Sequence, residues 1–147
     1  MDIVEAKDYS DNLLTALQRL LPQMSPSAAI PGERELSEII SAPNTVLLIA
    51  CEPDTDGDII GTLTITYMPK PSGLRAWIDD VIVDEPRRGS GVGTALMQAA
   101  LSDAKTRGVH LVNLTSRESR AAASRLYRRA GFTQAETNIY KYSLEPV

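Results

Sequence analysis

Val81-Ile-Val-Asp-Glu-Pro-Arg-Arg-Gly-Ser-Gly-Val-Gly-Thr94 is an apolar strand that runs into a glycine-rich, arginine-flanked turn opening a long helix. Phosphate cradles are built this way. Glycines let the backbone curl so that successive N–H groups point at one anion, and the helix macrodipole places about half a positive charge at the same spot. The stretch predicts a pyrophosphate ligand.

The spacing of Gly89, Gly91 and Gly93 narrows the choice of pyrophosphate. A Walker loop needs Gly, four residues and then Gly-Lys-Ser/Thr, whereas no lysine follows Gly93 and the nearest is Lys105. A dinucleotide fingerprint needs Gly-x-Gly-x-x-Gly early in a βαβ unit, and this Gly-x-Gly-x-Gly run lies past the chain midpoint without the matching acidic residue. Neither of the commoner nucleotide motifs fits. The plain alternative is a glycine-rich turn with no ligand.

Arg88-Gly-Ser-Gly-Val-Gly93 resembles the Arg/Gln-x-x-Gly-x-Gly/Ala loop of the GNAT superfamily of N-acetyltransferases. Downstream, Ala123-Ser-Arg-Leu-Tyr-Arg-Arg-Ala-Gly-Phe132 resembles that family's Ala-x-x-Leu-Tyr-x-x-x-Gly-Phe signature. The two blocks and the strands around them span roughly residues 58–144, while residues 1–57 match only in the order of helices and strands. The resemblance implies that Arg88, Gly89, Ser90, Gly91, Val92, Gly93 and Thr94 hold the pyrophosphate of acetyl-CoA as co-substrate.

Composition sets the outer limits. A chain of 147 residues is one domain's worth and buries about two thirds of its unfolded surface, so it needs no disulfide or metal staple. Cys51, the only cysteine, ends the apolar run 46–51, the setting of a buried small hydrophobe rather than a reactive thiol. With one histidine, His110, and one cysteine, no metal site is expected. The acidic opening Met1-Asp-Ile-Val-Glu leads into no signal-like core, and no apolar run approaches membrane length, so a cytoplasmic protein with no membrane partner is expected.

The net charge of −4 is unevenly spread. Residues 1–60 carry −8 and the remainder +4. A basic half around the cradle suits a coenzyme with three phosphate groups, and an acidic half attracts a cationic amine, although solvated surface charge accounts for much of both. A net-acidic chain with few aromatics is not expected to bind nucleic acid.

Leu13, Leu14, Leu17, Leu20 and Leu21 recur at helical spacing up to Pro22, and Pro31 opens a second helix carrying Leu36, Ile39 and Ile40. Strands over 46–51, 59–68 and 74–83 follow as an antiparallel meander. Asp54-Thr-Asp-Gly-Asp58 forms its first turn, since Gly57 is misplaced for a calcium loop, and Pro69-Lys-Pro-Ser-Gly73 forms the second. A long helix over 90–107 ends at Gly108 and leads to a strand over 110–115, parallel to 74–83 because a helical crossover joins them. A last helix over 119–130 stops at Gly131, and residues 132–144 supply closing strands. The expected fold is α/β: a single GNAT-like domain over 1–147, with a mixed, mostly antiparallel sheet, a parallel splayed strand pair and helices on both faces.

Attack of an amine on a thioester requires a neutral amine, a polarised carbonyl and a protonated leaving thiolate. Tyr127 stands at the family's general-acid tyrosine; its phenol, of pKa about 10, can protonate a thiolate of pKa about 8.5. The plain alternative is a half-buried tyrosine packed beside Leu126. Ile82 and Val83 match the positions whose backbone N–H polarises the carbonyl where the parallel strands splay. Asp79 and Asp80 are candidates to take up the amine's proton; in an extended strand they face opposite ways, so one of the two faces the site. Ile78-Asp-Asp-Val-Ile-Val83 resembles the Ile-Glu-Asp-Val-Val-Val stretch of some family members. That match puts Asp79 where a catalytic glutamate can lie, one methylene short, which favours a water relay.

Arg120 replaces an asparagine that in many family members contacts the acetyl-CoA arm. With Arg88, Arg117, Arg125 and Arg128 it instead suits the coenzyme phosphates, and Ser124 suits the pantetheine arm. Two function classes follow: an acetyl-CoA-dependent N-acetyltransferase acting by direct attack in a ternary complex on a small-molecule or peptide amine, or a non-catalytic acyl-CoA-binding sensor or regulatory module. A homodimer is compatible with either.

Overall fold

The computed structural model describes residues 1–116 and 121–145. Five strands form one sheet in the order β1-β2-β3-β4-β5: β1 (Asp2–Glu5), β2 (Thr45–Glu52), β3 (Asp58–Lys70), β4 (Gly73–Val83) and β5 (Leu111–Leu114). The first four pair antiparallel, and β4 and β5 pair parallel, as the helical crossover between them requires. The mixed sheet is therefore the expected one. β1 was not foreseen: Ile3 and Val4 are too few apolar residues to show alternation, and their strand exists because β2 offers them an edge.

Two helices cover each face. On one side lie α1 (Asp11–Met24) and α2 (Glu33–Ser41), whose Leu13, Leu17, Leu20 and Leu36 pack on Leu47, Cys51, Ile59 and Ile82 of the sheet. On the other lie α3 (Val92–Thr106) and α4 (Ala121–Arg129), with Val92, Leu96, Met97, Ala100 and Tyr127 against Val46, Leu48, Leu63, Ile65 and Ile78. The strands are apolar on both faces for this reason. Arg107 stacks 4.4 Å over the Tyr67 ring, and the Tyr67 hydroxyl donates to Asp103, which fixes the far end of α3 to β3.

Local chemistry sets the helix ends. The Ser10 hydroxyl caps α1 by accepting the N–H of Leu13 at 3.0 Å, and the Gly32 N–H donates to the Glu35 carboxylate at the start of α2, two residues beyond Pro31. α1 does not stop at Pro22 but continues to Met24. The proline forfeits one backbone hydrogen bond, and the last turn is held from outside. The Gln23 side chain donates to Asp84 Oδ1 at 2.9 Å and accepts the Glu85 N–H at 3.0 Å.

The closing strands expected over residues 132–144 are not formed. The alternation there is that of a half-buried strand, but alternation does not say which surface buries it. Every residue from 133 to 145 is exposed, with Tyr140 and Leu144 each at 90%. None of the helices among the described residues is long and apolar enough to cross a membrane.

Candidate active site

Two features of β4 create the site. Parallel pairing with β5 runs from Arg75 opposite Leu111 to Ile78 opposite Leu114 and then stops, so Asp79 to Val83 have no β5 partner. The strands part there. On its other edge β4 carries a bulge: Thr62 pairs with Ile82 and Thr64 with Asp79, so Asp80 and Val81 together oppose Leu63. Asp80 takes up the extra residue at φ 51°, left-handed backbone that aspartate tolerates better than most side chains.

The bulge overturns the expectation that only one of the two aspartates faces the site. Strict alternation holds for a regular strand, and one left-handed residue breaks it. Asp79 and Asp80 both line a cleft of about 360 Å³ with Tyr127. Its other walls are Met24 and Ser25 at the end of α1, and Thr115 and Ser116 beyond β5. Both carboxylates stay open to solvent on their outer sides. Partial burial raises each above the ordinary carboxylate value; the Asp79 charge raises Asp80 further, while a hydrogen bond with Trp77 pulls Asp79 back down.

The glycine turn sits at the other end of the parting. Val83 leads through Asp84 into a 3-10 turn, Glu85–Arg87, and then to Gly89 and Gly91 at φ 84° and 88°. Gly91 is the N-cap of α3, so the first-turn amides of this 15-residue helix receive no hydrogen bond from an N-cap side chain. Among the described residues, flanking neighbours aside, no atom lies within 4 Å of where a Cβ would stand on Gly89 or Gly91. Open space over uncapped amides fits a phosphate group. At Gly93 an added Cβ would come 3.0 Å from Leu126 and 3.6 Å from Val83, so the helix start is wedged between β4 and α4 beside Tyr127.

The side chains named from sequence fall into distinct places. Arg88 Nε donates to the Val83 carbonyl at 3.1 Å and the Ser90 hydroxyl donates to the Arg87 carbonyl, so both brace the turn from within. Thr94 is exposed on the first turn of α3, while Val92 and Ile82 are buried core. Tyr127 is buried at 8% exposure, its ring edge-on to Phe132 at 6.2 Å. Ser124, one turn earlier, is half-buried and does not line the cleft. Arg120 and Arg117 lie outside the described residues.

Met24, Ser25, Thr115 and Ser116 went unrecognised in the sequence, as did the bonds that hold the end of α1 beside Met24 and Ser25. Arg19 Nε meets Asp84 Oδ2 at 3.3 Å, its NH2 donates to the Ile59 carbonyl at 2.6 Å, and Gln23 holds Asp84 and Glu85. One wall of the cleft is thereby tied to the loop that leads into the glycine turn. The only sequence signal was a polar Gln23 after an apolar helix face, which no motif records.

The model of the Acetyltransferase (GNAT) family matches residues 13–132 of this chain. A glucosamine 6-phosphate N-acetyltransferase from Trypanosoma brucei brucei is 27% identical over 142 residues, which cover 93% of this chain and 90% of that protein. An L-methionine sulfoximine/L-methionine sulfone acetyltransferase from Pseudomonas paraeruginosa is 30% identical over 80 residues, covering 54% of this chain; the match spans about half, 46%, of that relative. Among solved structures, an aminoglycoside acetyltransferase from an uncultured soil metagenomic sample, in complex with sisomicin, superposes with a TM-score of 0.83 at 19% identity. That superposition covers 99% of this chain and 96% of the other, a likeness of fold alone.

Proposed function

The chain belongs to the acetyltransferase (GNAT) family, and from that premise we propose that it transfers an acetyl group from acetyl-CoA to an amine acceptor by direct attack in a ternary complex. The observation that carries this reading is the parting of β4 and β5, which has an open, uncapped helix start at one end and a cleft with Tyr127 and two carboxylates at the other.

Acetyl-CoA supplies the acyl group as a thioester. The backbone of Gly89 to Gly93 and the first-turn amides of α3 hold its pyrophosphate, with the helix dipole adding attraction. Backbone N–H groups at Ile82 and Val83, in the stretch of β4 with no parallel partner, polarise the carbonyl. An acceptor amine of pKa near 10 arrives protonated. Asp79 and Asp80 take up that proton, directly or through water, and their raised pKa values make them stronger bases than ordinary carboxylates. The nitrogen bonds to the carbonyl carbon, the C–S bond breaks, and Tyr127 donates its phenolic proton to the departing thiolate; the second proton shed by the acylated nitrogen restores the phenol, and the first leaves to solvent from the carboxylate. The gap between phenol and thiol is about 1.5 pKa units, or about 2 kcal/mol, well within what a positioned donor supplies.

The acceptor side of the cleft carries two carboxylates, which supports a cationic small-molecule or peptide amine. A panel of amines mixed with acetyl-CoA, with free CoA thiol as the readout, tests the proposal. Thiol release that depends on both substrates is expected. Tight acetyl-CoA binding with no release for any amine would favour the non-catalytic sensor instead.

A further inference from the structure

Asp84 is the first residue after β4, and each of its polar groups has a partner. Its N–H donates to the Ile60 carbonyl and its carbonyl accepts the Arg87 N–H, each at 2.8 Å. One carboxylate oxygen accepts Gln23 Nε2 at 2.9 Å and the other accepts Arg19 Nε at 3.3 Å. Arg19 and Gln23 are a helical turn apart on one face of α1, so a single carboxylate grips the last two turns of that helix. Glu85 adds its N–H to Gln23 Oε1 at 3.0 Å.

The grip falls where α1 lacks bonds of its own. Pro22 has no N–H to give to the carbonyl one turn back, and Ser25 closes the helix with a 3.3 Å bond to the Leu21 carbonyl. Gln23 Nε2 also reaches the Arg19 carbonyl at 3.3 Å, bracing that turn from its side. Met24 and Ser25, the next two residues, line the cleft, whereas Gln23 does not. In the other direction, the loop that holds Gln23 passes through the 3-10 turn Glu85–Arg87 straight into Gly89.

We infer that Gln23 is a positioning residue, a latch through which coenzyme bound at the glycine turn fixes the acceptor wall. The inference rests on the coenzyme site proposed above. A pyrophosphate held on residues 89–93 steadies the 3-10 turn and with it Asp84 and Glu85. Those two hold Gln23, and Gln23 sets Met24 and Ser25. Coenzyme binding and closure of the latch then favour each other by the same factor.

Hydrogen exchange with and without free CoA reads the latch and needs no acceptor. With CoA at saturation, which isothermal titration establishes for each protein, the Ser25 N–H should exchange about 5- to 20-fold more slowly, a usual size of coupling between linked sites. The Ala42 N–H is the control: it closes α2 on the Ile39 carbonyl at 3.2 Å, and among the described residues α2 has no hydrogen bond to the loop. It should not respond. In Gln23→Ala the response at Ser25 should vanish. Gln23→Glu sets two carboxylates against each other and should lose it too. Adding Asp84→Asn to Gln23→Glu should restore it, because donor and acceptor have changed places at constant net charge, a reversal that a merely stabilising residue would not show. Three results would each overturn the latch and leave the functional reading standing: CoA binding that slows Ser25 no more than Ala42, a Gln23→Ala chain that keeps the response, or a folded double variant that does not recover it. A chain that does not bind CoA would overturn both.

Discussion

Gly91→Ala separates a phosphate cradle from a merely glycine-rich turn. Gly91 sits at φ 88°, where an added Cβ meets no atom of the described residues beyond its neighbours within 4 Å, so the substitution brings backbone strain without a clash among them. That strain is about 1–2 kcal/mol, which lowers the melting temperature by about 3–8 °C in a chain of this size. Gly108 is the matched control, since it lies at the other end of α3 with φ 75° and the same open surroundings. Gly108→Ala should cost as much stability. Binding should distinguish the two. If the open space over Gly91 holds a phosphate, the added methyl stands in it and displaces the phosphate from one amide; loss of one charge-assisted hydrogen bond is worth about 1.5–3 kcal/mol, or roughly 10- to 150-fold in Kd. Isothermal titration with acetyl-CoA should therefore show weakened binding in Gly91→Ala and unchanged binding in Gly108→Ala. Equal affinities in the two variants would refute the cradle.

Other perturbations probe the walls of the site. Asp80→Asn removes a carboxylate that burial and the neighbouring Asp79 hold above the ordinary value of 3.8, while keeping a side chain that tolerates left-handed backbone. Because the folded state holds its proton more tightly than the unfolded state, ionisation costs stability as pH rises through that window and costs none below it. The variant should melt higher than the parent at pH 7, with the gain vanishing below about pH 3.8; a gain independent of pH would contradict the assignment. Gln23→Ala should lose about 1–2 kcal/mol in urea unfolding, because it strips the bonds to Asp84 and Glu85, whereas exposed Gln18→Ala should be near neutral.

Much of this arrangement was legible in the sequence, because the features concerned are local. The apolar runs of β2 to β4 between their turns, the 3.6-residue periodicity of α1 and α3, and the glycines at both ends of α3 each reflect chemistry within a few residues. Features set by distant partners were not legible. α1 continues past Pro22 because Asp84 and Glu85, more than sixty positions away, hold Gln23. Asp79 and Asp80 share a cleft because β3 supplies one residue where β4 supplies two, a mismatch that neither strand shows alone. Residues 132–144 read as closing strands in sequence, but among the described residues they form no strand and 133–144 are exposed, because a local pattern does not name the surface that would bury it.

Tyr127→Phe, assayed for both acetyl-CoA affinity and amine-dependent thiol release, tests the central claim most directly. The phenyl ring keeps the edge-on contact with Phe132 and removes only the hydroxyl. A general acid contributes about 10²- to 10⁴-fold, so kcat should fall by that factor at neutral pH while the Kd for acetyl-CoA holds. Full turnover in the phenylalanine variant would show that the leaving thiolate takes its proton elsewhere, and the catalytic role assigned to Tyr127 would be wrong.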